Sequence, residues 1–168
     1  LRRQRQMCIR DSKVVVRQAE RHAPLAIAPQ ATYLITGALG GIGLRLIDWL
    51  AQRGATSLLL VSRSAWSPSP EVRHRLVELE ARGVRCLLVP LDLAAGPDPA
   101  ATAVLADAIR ALPPEQPLRG LFHAAGVLED GLVGGLTPGR LAAVLAPKLA
   151  GWQLVEAAIA EAKASEKT

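Results

Sequence analysis

Residues able to do chemistry gather at four points along the chain. The first is Thr36-Gly37-Ala38-Leu39-Gly40-Gly41-Ile42-Gly43, four glycines within seven residues directly behind the apolar run Tyr33-Leu34-Ile35. Glycine weakens helices and strands alike, so this density implies that something approaches the backbone closely. A strand, a glycine turn and a helix in succession expose backbone N–H groups at a helix N-terminus, where the peptide dipoles favour negative charge. The ligand expected there is the pyrophosphate of a dinucleotide, cradled by Thr36, Gly37, Leu39, Gly40, Gly41, Ile42 and Gly43. Gly37 is expected to permit the tight turn, Gly41 the close approach of phosphate, and Gly43 the packing of helix on sheet. A phosphate-loop ATPase is excluded, because no Gly-Lys-Ser/Thr follows.

The second point is Ser62-Arg63-Ser64, behind the next apolar run. A site that selects NAD places a carboxylate there for the ribose 2′-hydroxyl. Here stands Arg63, whose fork of donors suits a 2′-phosphate, so the expected cofactor is NADPH. The third point, Asp92-Leu93, is expected beside the adenine amino group. The fourth, His123-Ala124-Ala125-Gly126, is expected to line the nicotinamide ribose with small residues. No second ligand accompanies His123, which argues against a metal.

The intervening text supplies elements to hold these points. Tyr33–Thr36, Ser57–Val61, Val84–Val89 and Leu118–Phe122 read as strands. Helices are expected from Ile42 to the stop at Gly54, over Glu71–Arg82 with Val72, Leu76 and Leu79 inward and Gly83 as the stop, and over Asp98–Leu112 before Pro113-Pro114. Thr137 is expected to cap a further helix with Pro138 at its first position, and Gly151–Ala164 reads as an alanine-rich helical stretch. The strands are continuous apolar runs alternating with helices. That predicts a doubly wound, Rossmann-like parallel sheet covered on both faces, an α/β fold.

At 168 residues, half of them apolar, the chain has the size of one domain with a sizeable core. Its net charge is +5, but aromatics are 3% and much of the excess lies in the first 21 residues. Nucleic-acid binding is therefore not expected. Two cysteines without CxxC spacing exclude a disulfide framework and point to a reduced, cytoplasmic setting. No apolar run approaches the ~20 residues of a membrane span. Residues 1–12 contain Arg5-Gln6-Met7-Cys8-Ile9-Arg10-Asp11-Ser12, which resembles a translated sequencing adapter and reads as a non-native tail. Residues 13–30 read as a strand that has lost its partners, Lys13–Val16, followed by a linker with Pro24 and Pro29. Residues 31–168 read as the NADP-binding domain, truncated at its C-terminus.

The spacing Thr36-Gly37, Gly41, Gly43 resembles the short-chain dehydrogenase/reductase family. Over Lys13 to about Glu161 the chain resembles, more narrowly, the ketoreductase domain of type I polyketide synthases and animal-type fatty acid synthases. The matching text is YLITGALGGIGL, LLLVSRS, LDL, HAAGVLEDG and LTPGRLAAVLAPKLAGW. The resemblance implies that Lys148, in Ala146-Pro147-Lys148-Leu149-Ala150-Gly151, is the active lysine. Its implied role is to bind the nicotinamide ribose and lower the pKa of a catalytic tyrosine. It also implies hydride transfer from NADPH to a β-ketoacyl chain tethered by phosphopantetheine to an acyl carrier protein, with other synthase domains in cis. Leu128-Glu129-Asp130 takes the place of the Leu-Asp-Asp motif of B-type ketoreductases, which steers the phosphopantetheine arm and implies a D-configured product. Glu129 departs from that motif. The family's catalytic serine and tyrosine motifs are not found after Lys148, and Tyr33, the one tyrosine, precedes the glycines. The chain is therefore expected to be inactive alone. A noncatalytic NADP-binding or structural module and a free-standing reductase are the alternatives.

Overall fold

The computed structural model describes residues 6–8, 13–15 and 26–164. The short strands β1 (Gln6–Cys8) and β2 (Lys13–Val15) form an antiparallel ribbon. The run from Lys13, read above as a strand without partners, thus pairs with Gln6–Cys8 of the expected non-native tail. The remainder of the N-terminal tail, most of the expected linker and residues 165–168 lie outside the described residues.

The main sheet has four parallel strands, β3 (Thr32–Thr36), β4 (Ser57–Ser62), β5 (Arg85–Pro90) and β6 (Leu118–His123), in the order β5-β4-β3-β6. β3 is buried at every residue, as a strand covered on both faces must be. Odd and even positions serve different layers. Tyr33 and Ile35, with Leu58 and Leu60, pack with Ile47 and Leu50 of α1 (Gly41–Gln52) and Leu76 and Leu79 of α2 (Pro70–Ala81). Leu34, Leu59 and Val61 pack with Leu105 and Ala106 of α3 (Pro99–Arg110) and with Leu154, Val155 and Ala158 of α4 (Pro138–Ala164).

Helix boundaries follow their caps. The Ser69 hydroxyl accepts from the Val72 amide at 3.3 Å and puts Pro70 first in α2. The Asp98 carboxylate accepts from the Ala101 amide at 2.9 Å and puts Pro99 first in α3. These helices start and stop within one or two residues of expectation, because each capping residue stays outside its helix. The larger correction is α4. The two helical stretches expected around Thr137 and Gly151 are one 27-residue helix that runs through Pro147. Pro147 has no N–H to give to the Ala143 carbonyl.

Registers align the strand ends. Thr36 lies opposite Val61 on one side and His123 on the other, and Ser62 lies opposite Pro90. The turns after β3, β4, β5 and β6 therefore leave from one edge of the sheet. β3 is the switch point, since the chain goes to β4 on one side of it and to β6 on the other. The β3–β6 pairing contains one irregularity: Thr32 faces Leu118 but Tyr33 faces Gly120, so Arg119 is bulged out.

Candidate functional site

The glycine turn behaves as three different devices. Gly37 has φ +63°, and a Cβ there would lie 2.7 Å from the Ala124 carbonyl oxygen. It serves both conformation and the close approach of the strand-end loop after β6. A Cβ on Gly43 would overlap the carbonyl oxygens of Gly37 and Ala38. That glycine lets the helix close on its own preceding turn, not on the sheet as expected. Gly41 has nothing within 4 Å of a built Cβ and opens α1 towards free space. Gly40, the N-cap, offers no side-chain bond, and the first turn of α1 contains no acid. The positive end of the helix dipole is thus left uncompensated at an open, Cβ-free surface, which suits a phosphate group. Beside it Ile42 is 71% exposed, while Leu39 is half-buried.

Thr36 lies beneath this surface. The Ala125 amide donates to its hydroxyl at 3.2 Å, and the Ala124 amide donates to its carbonyl at 3.2 Å. His123 is half-buried and engages both ring nitrogens: Nε2 is 3.0 Å from the Pro147 carbonyl oxygen and Nδ1 is 2.9 Å from Thr36 Oγ1. A carbonyl only accepts, so the proton of the neutral ring sits on Nε2, and Thr36 donates to Nδ1. His123 therefore joins β3, β6 and α4 and presents no free nitrogen to a ligand. Trp152 stands edge-on to its ring at 5.8 Å.

Lys148 is brought to the same place. Its Nζ lies 3.6 Å from where a Gly126 Cβ would be, and it donates to the carbonyls of Val144 at 3.1 Å and Val127 at 3.5 Å. The ammonium thus stands over the exposed end of the His123-Ala124-Ala125-Gly126 stretch. Gly151 lets α4 come this close, since its Cβ would meet Leu93 Cβ at 3.0 Å and the Leu93 carbonyl oxygen at 3.2 Å.

Arg63 opens a 3-10 turn over Arg63–Trp66 at the end of β4, with its side chain 65% exposed. Its one ion pair among the described residues is with Asp92, at 3.9 Å. Ser62 and Ser64 bond to each other through their hydroxyls at 3.0 Å. Asp92 caps the turn after β5, accepting from the Ala94 amide at 2.9 Å. Leu93, expected at the cofactor surface, buries its side chain in the core under α3 and α4. Its apolar side chain gains more there than in an open crevice. Leu128, Glu129 and Asp130 are exposed on the loop between β6 and α4. Pro147 was missed by the sequence reading. It was visible beside Lys148, but nothing in the string announces that its carbonyl receives His123.

A parallel sheet with a glycine-rich turn at its switch point and a basic residue ending the neighbouring strand defines a nucleotide-binding α/β protein of Rossmann type. More narrowly, residues 31–165 match the KR domain family, and the chain belongs to it, as a polyketide synthase ketoreductase domain of the short-chain dehydrogenase/reductase superfamily. It is 39% identical over 133 residues to the highly reducing polyketide synthase cm3B of Cordyceps militaris, covering 79% of this chain and 5% of that protein. Among solved structures it is similar to an N-terminal ketoreductase from the macrolactin assembly line, with TM-score 0.71, 28% identity, and 89% of this chain and 29% of that one covered. It is also similar to an A-type ketoreductase from a modular polyketide synthase, with TM-score 0.64, 31% identity, and 93% and 32% covered. The chain therefore spans a small part of the synthases, and about a third of the ketoreductases, that it matches. Among the described residues no helix is long and apolar enough to cross a membrane.

Proposed function

We propose that this chain forms the cofactor-binding part of a ketoreductase that reduces a β-ketoacyl thioester to the β-hydroxyacyl thioester. The acyl group would be carried on the phosphopantetheine arm of an acyl carrier protein within a multidomain synthase. The observation that carries this reading is the convergence of Gly41, Arg63, Asp92, Gly126 and Lys148 on one edge of the sheet, around an uncapped helix N-terminus. The residues fit NADPH. The amides opening α1 would take the pyrophosphate, Arg63 the 2′-phosphate, Asp92 the adenine amino group, and Ala124, Ala125, Gly126 and Lys148 the nicotinamide ribose. NADPH, when bound, supplies the hydride.

Tyr33 is not placed to donate the proton. It is 5% exposed in the core, and its hydroxyl accepts from the Ala28 amide at 2.7 Å, away from Lys148. We therefore expect binding without turnover from this chain alone, which a noncatalytic NADP-binding module would share.

The test is a fluorescence titration with NADPH and NADH. NADPH should bind the tighter, and Arg63→Asp should weaken it by roughly ten- to a hundredfold while sparing NADH, as loss of a charge-assisted pair implies. Equal affinities in the unmutated chain would overturn the cofactor assignment. Joined to the downstream half of a relative, the domain should give the D-configured hydroxy thioester, read by chiral chromatography. An L-configured product would place the chain with A-type enzymes instead.

A further inference from the structure

Lys148 does not hold its own place beside Gly126. It is exposed on α4, and among the described residues its Nζ is fixed by the carbonyls of Val144 and Val127 alone. The helix is also one bond short just before it, because Pro147 has no N–H with which to tie the preceding turn. At this point α4 is pinned from outside by a side chain of β6. Pro147 is buried, and its carbonyl receives Nε2–H of His123 at 3.0 Å. A carbonyl oxygen has two lone pairs, so this bond adds to the helical one from the amide four residues on.

The other side of the ring is tied to the glycine turn. Nδ1 accepts from the Thr36 hydroxyl at 2.9 Å, and that hydroxyl accepts from the Ala125 amide at 3.2 Å. The bonds therefore run in one direction, from Ala125 through Thr36 and His123 to the residue before Lys148. Packing fixes the angle of the ring. Trp152 stands edge-on to it at 5.8 Å, and a Cβ on Gly151 would come within 3.7 Å of its Cε1. A neutral imidazole suits this position because it accepts at one nitrogen and donates at the other.

We propose that His123 is a positioning residue for Lys148: through the Pro147 carbonyl it sets the lysine ammonium over Gly126, where it would meet the nicotinamide ribose of NADPH. The Nε2 side of the ring carries this task, and the Nδ1 side serves the sheet. The meeting with the ribose rests on the cofactor reading above. The link from His123 to Lys148 does not.

Two variants of the full chain divide the ring. Glutamine puts a donor where Nε2 stood, and asparagine puts an acceptor near Nδ1. His123→Gln should therefore keep the Pro147 bond, and His123→Asn only the Thr36 bond. In a fluorescence titration His123→Asn should weaken NADPH about tenfold, the factor set by one lost hydrogen bond, and His123→Gln much less. Adenosine 2′,5′-bisphosphate, which lacks the nicotinamide ribose, should bind all three chains alike. Lys148→Met should weaken NADPH by itself, and adding His123→Asn to it should cost nothing further. A merely structural role predicts instead that both ligands weaken and that the two losses add. NMR supplies a reading without ligand. The unmutated chain should carry its His123 proton on Nε2 alone, and the Lys148 and Gly126 amide signals should move in His123→Asn but not in His123→Gln. Additive losses, equal losses in the two variants, or a proton on Nδ1 overturn the proposal. Should His123→Asn fail to fold, the tautomer and His123→Gln still decide it. If neither NADPH nor the bisphosphate binds the unmutated chain, the cofactor reading falls, and the amide signals alone decide the link to Lys148.

Discussion

At the residue scale, glycines that look alike in the string TGALGGIG have separable roles. Gly43→Ala would place its methyl against the carbonyl oxygens of Gly37 and Ala38, which are backbone atoms that cannot swing away. It should cost about 1–3 kcal/mol in urea denaturation, as overpacking does. Gly41→Ala meets nothing in the fold and should leave the urea midpoint unchanged or slightly raised. Its methyl should instead weaken NADPH binding, measured by the titration described above. If both substitutions acted equally on stability, the division between a folding glycine and a binding glycine would fail. A second residue with a definite state is Cys86. Burial, with the Glu80 charge as a lesser cause, pushes its thiol up to about 11. The neutral thiol is the favoured form in the folded chain, so its contribution to stability is present below pH ~9 and fades as pH rises toward 11. Iodoacetamide at pH 8, with peptide mapping to separate Cys86 from Cys8, should label Cys86 slowly in buffer and rapidly in urea. Fast labelling in the folded chain would contradict this.

At the scale of elements, the strands were legible because buried parallel strands are continuous apolar runs, whereas their order β5-β4-β3-β6 came only with the structure. Leu58, Leu59, Leu60 and Val61 announce themselves in that way. The continuity of α4 was not legible. Pro147 and Gly151 both look like interruptions, and only packing shows why they stay. Pro147 lends its carbonyl to His123, and Gly151 lets the helix rest on Leu93. Their purpose is tertiary, so no local pattern records it. Leu93 was assigned to the cofactor because its neighbour Asp92 sits at a strand end, yet adjacent residues at such a corner point in different directions. The contact of α4 with the β5 turn gives an element-scale prediction. Gly151→Val should destabilise the chain by about 1–3 kcal/mol in urea denaturation. It should also lower NADPH affinity by displacing Lys148, an effect that a surface control such as Gly134→Ala, with nothing near its Cβ, should not reproduce.

At the scale of the whole molecule, the sheet has a covered centre and two open margins. Among the described residues β6 pairs on one side only, and unpaired strand edges recruit other strands. The outer face of α4 adds an apolar stripe. Leu141, Leu145, Leu149 and Trp152 recur at helical spacing and are 37–60% exposed. Nearby, Leu132 is 87% exposed. Apolar area gathered in this way favours association over solvation. Light scattering across a concentration series should therefore show reversible growth in mass at low micromolar to millimolar chain. Substituting Leu145 and Leu149 by Lys should reduce that growth without lowering the melting temperature. A strictly monomeric chain over that range would show that neither margin is adhesive.

The bulge at Arg119 sets the phase of everything after it. In an unbroken strand, side chains three apart point to opposite faces. Here Leu118 and Leu121 both join the layer under α3 and α4, while Phe122 goes to the opposite layer with Trp49. The extra residue resets the count, and the tight fit of Gly120 against the Tyr33 ring marks where it does so. Were Arg119 to enter the ladder opposite Tyr33, every residue after it would slip by one place. Leu121 would then fall opposite Ile35 on the far layer, and His123 would turn away from Pro147. A solvent-exposed arginine at the other end of the strand from the site thus decides, by staying out of the ladder, which way the imidazole of His123 looks.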